Sequence, residues 1–168
     1  MRLFLLISVL TISSLFVRGQ EYRQYAGLRG GVSSGISYKL FKNEVKALEA
    51  LLAYRDGGIQ FTALIETYKP LYLKNTDRLY MYTGLGAHIG YTSWHRGQTS
   101  FLPLFRTRFF NRNFSPVIGL DIAAGLEYRF YNTPLVLGLN IKPFFDIFGR
   151  NFFNLHLFDV GFSIHYAF

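Results

Sequence analysis

The strictest pattern in the chain is the alternation of residue types between positions 158 and 168. Its apolar members are Val160, Phe162, Ile164, Tyr166 and Phe168, and they alternate with Asp159, Gly161, Ser163, His165 and Ala167. Successive side chains of a strand point to opposite faces, so this pattern predicts a strand with one apolar face and one face of small and polar groups. Such a strand separates two different environments, which limits the fold to some form of sheet.

Seven further segments alternate in the same way and are separated by turn signals. They cover residues 25–31, 36–41, 46–55, 59–66, 79–91, 117–130 and 135–147. Residues typical of turns lie between them, at 33–35, 42–44, 56–58 and 131–134. Lys69-Pro70 is predicted to end the fourth segment, and loops are expected over 92–115 and around 149–151. The sequence therefore predicts an all-β chain of eight antiparallel strands.

Segment 46–55 is ambiguous, because its Ala, Leu, Glu and Lys residues are all good helix formers. Leu48 and Leu52 nevertheless alternate with Glu49 and Arg55 at the spacing of a strand. Since strands are predicted on both sides of it, we expect a strand here as well.

The polar faces of the predicted strands carry five positive and six negative charges. These residues are Arg29, Lys39, Glu49, Arg55, Glu66, Asp121, Glu127, Arg129, Lys142, Asp146 and Asp159. Most strand glycines share these faces, whereas the opposite faces carry almost no charge. In a soluble barrel the apolar faces would point inward. An eight-stranded barrel encloses space only for its own side chains, and the many aromatic and branched apolar residues would overfill it. We therefore predict the inverse arrangement, with paired charges inside and the apolar face toward lipid, where a closed barrel satisfies every backbone group.

The predicted fold is an eight-stranded antiparallel transmembrane β-barrel with a filled, charge-paired interior. Tilted strands of roughly 9–11 residues cross a bilayer, and single-chain outer-membrane barrels have even strand numbers. With both chain ends on the inner side, the turns after strands two, four and six are short, and the long loop 92–115 falls outside. A soluble β-sandwich with coincidental patterning is the alternative.

Residues 1–19 are predicted to be a cleaved signal peptide, which leaves 20–168 as one domain. Met1-Arg2 is followed by an apolar run and then by Arg18-Gly19-Gln20 at a suitable cleavage point. The run is short for a spanning helix, although a single membrane anchor is the alternative, and no later segment is apolar for long enough to be one. Cysteine is absent, which excludes disulfides and Cys-ligated metals.

Several short motifs resemble one family. They are Gly27-Leu28-Arg29-Gly30-Gly31, Ser34-Gly35-Ile36-Ser37-Tyr38-Lys39, the strand 47–52, Gly119-Leu120-Asp121 and Gly125-Leu126-Glu127-Tyr128. In these motifs the chain resembles the small outer-membrane β-barrel proteins common in Bacteroidota. The resemblance implies a barrel in the outer membrane of a Gram-negative cell, reached by export through the inner membrane, and it implies no defined activity.

The last strand resembles the closing strand of bacterial outer-membrane barrels. This resemblance implies that Gly161, Ile164, Tyr166 and Phe168 form the signal that the barrel-assembly machinery reads.

Ser163 and His165 are the first candidates for catalysis. Some barrel enzymes that deacylate lipid A carry His and Ser two residues apart, but in the order His then Ser and on the lipid-facing side near the outer leaflet. Here the order is reversed, and both residues are predicted to face the interior near the inner end. We therefore expect no catalysis at this pair.

No spacing of His, Asp and Glu is typical of a metal site, and the sequence contains neither a phosphate-binding glycine loop nor a recognisable nucleic-acid module. We expect no cofactor. The interior carboxylates could suggest acid–base chemistry, but buried charges must be paired, and a structural network explains them more simply.

The positive charge of the chain is concentrated in the long loop. Arg96, Arg106, Arg108 and Arg112 lie between residues 93 and 115 without any acid. Aromatic residues are interleaved with them, namely Trp94, Phe101, Phe105, Phe109, Phe110 and Phe114. Guanidinium groups suit phosphate, and outside the cell phosphorylated glycolipid headgroups are the nearest anions. The alternative is a loop that only packs its aromatic residues over the barrel rim.

The sequence thus predicts a monomeric outer-membrane barrel with a structural or surface-binding role, which contacts outer-membrane lipid and glycolipid through loop 92–115. A lipid-modifying barrel enzyme is the main alternative. In the loop, His95 with Ser93 or Ser100 is the pair that such an enzyme could use. A narrow pore is disfavoured by the number of strands.

Overall fold

The computed structural model describes residues 24–55, 57–73, 76–92, 102–105, 115–148 and 152–168. All regular structure in these residues is β. The strands are β1 (Gln24–Gly31), β2 (Ser34–Phe41), β3 (Lys46–Arg55), β4 (Gly58–Leu73), β5 (Thr76–Thr92), β6 (Leu102–Phe105), β7 (Ser115–Arg129), β8 (Leu135–Ile141), β9 (Phe144–Phe148), β10 (Phe152–His156) and β11 (Val160–Ala167). In this described part of the chain, no helix is long and apolar enough to cross a membrane.

Eight of the strands form a closed antiparallel ring. Going around it, the order is β1, β2, β3, β4, β5, β7, β8 and β11, and β11 pairs again with β1. At this last seam Tyr25 lies opposite Ala167. The backbones of Gln24 and Phe168 also exchange two hydrogen bonds there, of 3.2 and 2.8 Å. The prediction of an all-β chain with eight main strands is therefore confirmed.

The ring has two different ends. Gln24 and Phe168 lie at one of them, which we call the terminal end, together with the connections β2–β3, β4–β5 and β7–β8. The opposite end, which we call the loop end, carries the connections β1–β2, β3–β4, β5–β7 and β8–β11. The two longest connections, which contain β6, β9 and β10, are both at the loop end.

β8 and β9 behave as one strand with an interruption. Both pair with the same side of β7 in a single register, since Ala124 lies opposite Ile141 and Asp121 opposite Phe144. The interruption falls at Lys142-Pro143, because proline has no N–H to donate to a ladder. Its carbonyl still accepts a hydrogen bond of 2.9 Å from the Ile122 amide. The predicted strand 135–147 is thus in the correct place, but it is not continuous.

Two short strands, β6 and β10, were not expected from the sequence. β10 pairs with β9, and β6 pairs with β10, so the sheet continues past the ring at the loop end. The segment 92–115 was expected to be only a loop, but it contains β6. Short strands of this kind gain their ladder from neighbours distant in the sequence, and local alternation does not reveal them.

The predicted end of the fourth strand at Lys69-Pro70 is wrong. β4 continues to Leu73, and Pro70 lies opposite Tyr80 of β5. A proline removes only its own donor, and it can be accommodated in a strand close to its end.

Burial alternates residue by residue along the ring strands, and it does so in the direction opposite to that of a water-soluble sheet. Large apolar side chains on the outer face are exposed, for example Leu85 with 66% of its surface accessible. Charged side chains on the inner face are buried, for example Lys39 with 1% accessible. In β3 the helix-forming residues follow the same rule, because Leu48 and Leu52 are exposed while Glu49 is buried. The strand predicted at 46–55 is confirmed.

Candidate functional site

The interior of the ring holds a network of charged side chains, and Lys39 is its centre. The Nζ atom of Lys39 lies 2.7 Å from Glu127 Oε1, 3.0 Å from Glu66 Oε2 and 3.8 Å from Glu49 Oε2. Lys39 comes from β2, and Glu49, Glu66 and Glu127 come from β3, β4 and β7. Because β2 and β7 are not neighbours in the ring, this cluster ties opposite walls together through the interior.

Two tyrosines complete the surroundings of Lys39. The ammonium group donates to the Tyr68 hydroxyl at 2.9 Å, and that hydroxyl donates to Glu66 Oε2 at 2.8 Å. The Lys39 Nζ atom also lies 4.4 Å from the centre of the Tyr82 ring, within the range of a cation–π contact. The Lys39 ammonium group is therefore satisfied by side chains, whereas the Oε2 atom of Glu127 is buried without a hydrogen-bond partner among the described residues.

A second cluster, nearer the loop end, is built around Arg29 of β1. Its guanidinium group lies 3.1 Å from Asp159 Oδ1 and donates two hydrogen bonds, of 3.0 and 2.9 Å, to Asn140 Oδ1. It also contacts the hydroxyl and the carbonyl of Ser33. Gly161 makes the room for this group, since a Cβ at that position would lie 2.6 Å from Arg29 Cζ.

Lys142 joins this second cluster to a third one. Its Nζ atom lies 3.8 Å from Asp159 Oδ2 and 3.3 Å from Asp121 Oδ1. Asp121 in turn contacts His88 Nδ1 at 2.7 Å, and His88 Nε2 lies 3.1 Å from Asp146 Oδ1. Acidic and basic groups therefore alternate in an unbroken series from Arg29 to Asp146.

Arg129 differs from the other predicted members of the network. It makes no ion pair with a carboxylate among the described residues, and its Nε and Nη2 atoms are buried without a hydrogen-bond partner. Its guanidinium carbon lies 3.9 Å from the centre of the Tyr80 ring, and further rings surround it at 5.2–5.6 Å, those of Tyr25, Phe41 and Tyr68. The expected ion pair of Arg129 is thus replaced by cation–π contacts.

The rings around Arg129 belong to an aromatic layer that fills the interior at the terminal end. Tyr25 packs on Phe41, Phe41 on Tyr68, and Tyr68 on Tyr82, with ring centres 4.7–5.1 Å apart. These residues occupy the same alternate strand positions as the charged residues and so lie on the polar face. An aromatic residue at such a position does not by itself indicate which other rings it will contact. The sequence pattern therefore did not predict this layer.

The space left between the side chains is small. A cavity of about 10 Å³ lies between the Lys39 and Arg29 clusters, with Glu49, Asn140, Lys142 and Ser163 among its lining residues. This is roughly the volume that one water molecule requires.

The structure places the remaining predicted residues as follows. Ser163 and His165 are buried inside the ring, and His165 Nε2 lies 2.6 Å from Ser37 Oγ. Of the four residues expected in the assembly signal, Ile164, Tyr166 and Phe168 are exposed on the outer face, whereas Gly161 is buried beside Arg29. Arg96, Arg106, Arg108 and Arg112 lie outside the described residues, as do His95, Ser93 and Ser100.

Three uncharged members of the network were not predicted from the sequence. Ser33 and Asn140 bind the Arg29–Asp159 pair, and Tyr68 binds the Lys39 cluster. Their positions on the inner face were predictable from parity, but an uncharged polar residue on that face gives no sign of which ion pair it will join.

Comparison with known proteins gives no relatives. No family model matches the chain, and neither the search of curated proteins nor that of solved structures finds a match.

Proposed function

We propose that this chain is an integral β-barrel protein of a bacterial outer membrane, with a structural or surface-binding role. The observation that carries the proposal is the inverted distribution of side chains around the closed ring. Isolated buried charges are very costly, and a continuous exposed apolar face is unfavourable in water. If lipid surrounds the ring, the apolar outer face is no longer exposed to water. The buried charges are stabilised in turn because they pair with one another inside the ring.

The closure of the ring supports the same proposal. In a bilayer every backbone N–H and C=O must be satisfied within the protein, and a closed sheet meets this requirement. In the ring each strand has a partner on both sides, including β1 and β11.

The outer face is also bounded in the manner of a membrane-spanning surface. Exposed aromatic residues occur near both ends of the ring: Tyr38, Tyr128, Phe130, Tyr166 and Phe168 toward the terminal end, and Tyr54, Tyr91 and Phe158 toward the loop end. Aromatic residues concentrate where a bilayer meets water. Lys46 and Lys69 are exposed at the terminal end, where their ammonium groups can reach lipid headgroups.

The filled interior favours a structural or binding role over a pore. The charged clusters and the aromatic layer occupy the ring, and the cavity between the clusters has room for about one water molecule. We place the terminal end, with its short turns, on the periplasmic side and the loop end at the cell surface.

Cell fractionation and gel mobility test this proposal. The chain should be recovered with outer membranes and should migrate differently on gels when boiled and unboiled, because a folded barrel resists detergent until it is heated. Recovery as a periplasmic monomer in water, with no difference between boiled and unboiled samples, would contradict the proposal.

At the loop end we propose that segment 92–115 contacts anionic glycolipid. The support is compositional, because four arginines without an acid are interleaved with aromatic residues at the end of the ring that we place outside. Changing Arg96, Arg106, Arg108 and Arg112 to Gln should weaken salt-sensitive binding to vesicles of phosphorylated glycolipid and leave the gel shift unchanged.

The matched control removes the same charge from the terminal end, by changing Lys42, Lys46, Lys69 and Arg78 to Gln. When the vesicles are added to the side of the membrane that the loop end faces, this control should bind them as tightly as the wild type does. Equal binding in low salt by all three proteins would mean that the loop only covers the rim.

A further inference from the structure

β9 and β10 form a hairpin at the loop end that is joined to the ring through two interrupted stretches. On one side the ladder breaks at Lys142-Pro143, and on the other at residues 157–159, so the two breaks lie opposite each other. Lys142 N–H donates to the Asp159 carbonyl at 2.8 Å between them. Beyond this level β9 pairs with β7 over a short stretch whose register shifts between Ile118 and Gly119. The backbone therefore holds this hairpin less firmly than it holds the ring strands.

A side-chain contact of His88 joins the hairpin to the inside of the ring. His88 of β5 lies between Asp121 of β7, at 2.7 Å from Nδ1, and Asp146 of β9, at 3.1 Å from Nε2. The side chains of His88 and Asp121 are fully buried, and that of Asp146 is 11% accessible. Of these three residues, only Asp146 belongs to the hairpin.

The donors and acceptors in this contact determine how many protons two hydrogen bonds would need. A neutral imidazole carries one N–H, and an ionised carboxylate is only an acceptor. A neutral ring between two ionised carboxylates can therefore donate only one hydrogen bond. Two hydrogen bonds require one additional proton, shared among the three residues. Carried by the ring, that proton makes His88 an imidazolium, which donates to both carboxylates.

Other charged and titratable groups face the contact from the elements around it. Lys142 lies 3.3 Å from Asp121 Oδ1, and His156 of β10 has its Nε2 atom 3.6 Å from Asp146 Oδ2. Arg55 of β3 stacks on the Phe144 ring, with its guanidinium carbon 3.7 Å from the ring centre. The Phe144 ring in turn packs edge-on against His88 and parallel to His156.

We propose that His88, Asp121 and Asp146 form a proton-dependent clamp that holds the β9–β10 hairpin against the ring. When the extra proton is lost, the ring keeps one N–H and can donate to only one of the two carboxylates. With that N–H on Nδ1 toward Asp121, the lone pair of Nε2 faces the Asp146 carboxylate, and this contact becomes repulsive. The hairpin then loosens about its two interrupted stretches, and the buried ion pairs beneath it become accessible to water. The clamp operates within the chain itself and does not depend on the membrane proposed above.

Hydrogen exchange of the full chain, folded in detergent micelles, tests this clamp between pH 6 and pH 9. After correction for intrinsic exchange rates, protection of residues 144–148 should fall about tenfold or more with rising pH, since local opening controls exchange there. The fall should coincide with the titration of the His88 ring followed by NMR. The amides of β3 and β4 should stay protected throughout.

Three variants complete the experiment. His88→Gln should remove the pH dependence and leave the hairpin poorly protected at every pH, because the amide cannot supply the charge. Asp146→Asn should also remove the pH dependence but keep the hairpin protected, because the amide can donate to a neutral imidazole. His165→Gln is the control, since this buried histidine contacts Ser37 and should leave the wild-type fall unchanged.

Protection of 144–148 that does not vary with pH in the wild type would overturn the proposal. A fall with the same midpoint in Asp146→Asn would also overturn it. If His88→Gln does not fold, loss of protection in β3 and β4 will reveal this, and the wild type and Asp146→Asn then decide the question.

Discussion

Lys39 is the residue on which the interior depends most, because three carboxylates share its single positive charge. Removing one partner of a buried ion pair leaves an uncompensated charge, which costs roughly 3–5 kcal/mol. The change Lys39→Met should therefore lower the free energy of unfolding in detergent by about that amount. Glu127→Leu should cost less, since Lys39 keeps Glu66 at 3.0 Å.

Lys42→Met is the matched control for this measurement. Lys42 is exposed in the turn that follows β2, so its loss should change stability by less than about 0.5 kcal/mol. Equal unfolding midpoints for the two lysine variants would show that the Lys39 cluster contributes nothing to stability.

Gly161 gives a second test at the scale of single residues. A methyl group there would lie within 2.7 Å of three guanidinium atoms of Arg29, so Gly161→Ala should displace Arg29 from Asp159 and Asn140. The expected cost is about 1–3 kcal/mol, as for other overpacked sites. Gly30→Ala is the control, because a Cβ at Gly30 meets no atom within 4 Å. If urea titration gives Gly161→Ala the stability of Gly30→Ala, Arg29 is not confined as described.

At the scale of elements, β3 shows a conflict between local preference and the whole fold. Its residues favour a helix in isolation, but in the chain they form a strand between β2 and β4. A peptide of residues 44–57 should therefore show no strand signal by circular dichroism in water and should become helical in trifluoroethanol. A stable strand signal from the isolated peptide in water would mean that the sequence, rather than the ring, determines this strand.

The sequence predicted strands wherever alternation is long and both faces differ, as in β3, β7 and β11. It did not predict β6, β9 and β10 as separate strands, because their ladders depend on partners far away in the chain and on the interruption at Pro143. The inner face of each strand could be predicted from parity. The partners on that face could not, because the offset between neighbouring strands decides that Lys39 meets Glu127 while Arg129 meets only aromatic rings.

At the scale of the whole molecule, the ring separates a charged interior from an apolar exterior. Leu85 lies near the middle of the exterior, with Ile65 and Ile122 directly opposite it on the two neighbouring strands. All three side chains are more than half exposed. A surface of this kind is stable only if something other than water covers it.

The most direct measurement of this claim is the free energy of unfolding in lipid vesicles for Leu85→Arg and Tyr72→Arg. Both positions are exposed, but Leu85 lies within the apolar face and Tyr72 lies near the turn at the terminal end. If lipid covers the ring, Leu85→Arg should cost about 2–4 kcal/mol and Tyr72→Arg about 0–1 kcal/mol. Equal and small costs at the two positions, within about 0.5 kcal/mol as for ordinary surface substitutions, would contradict the account.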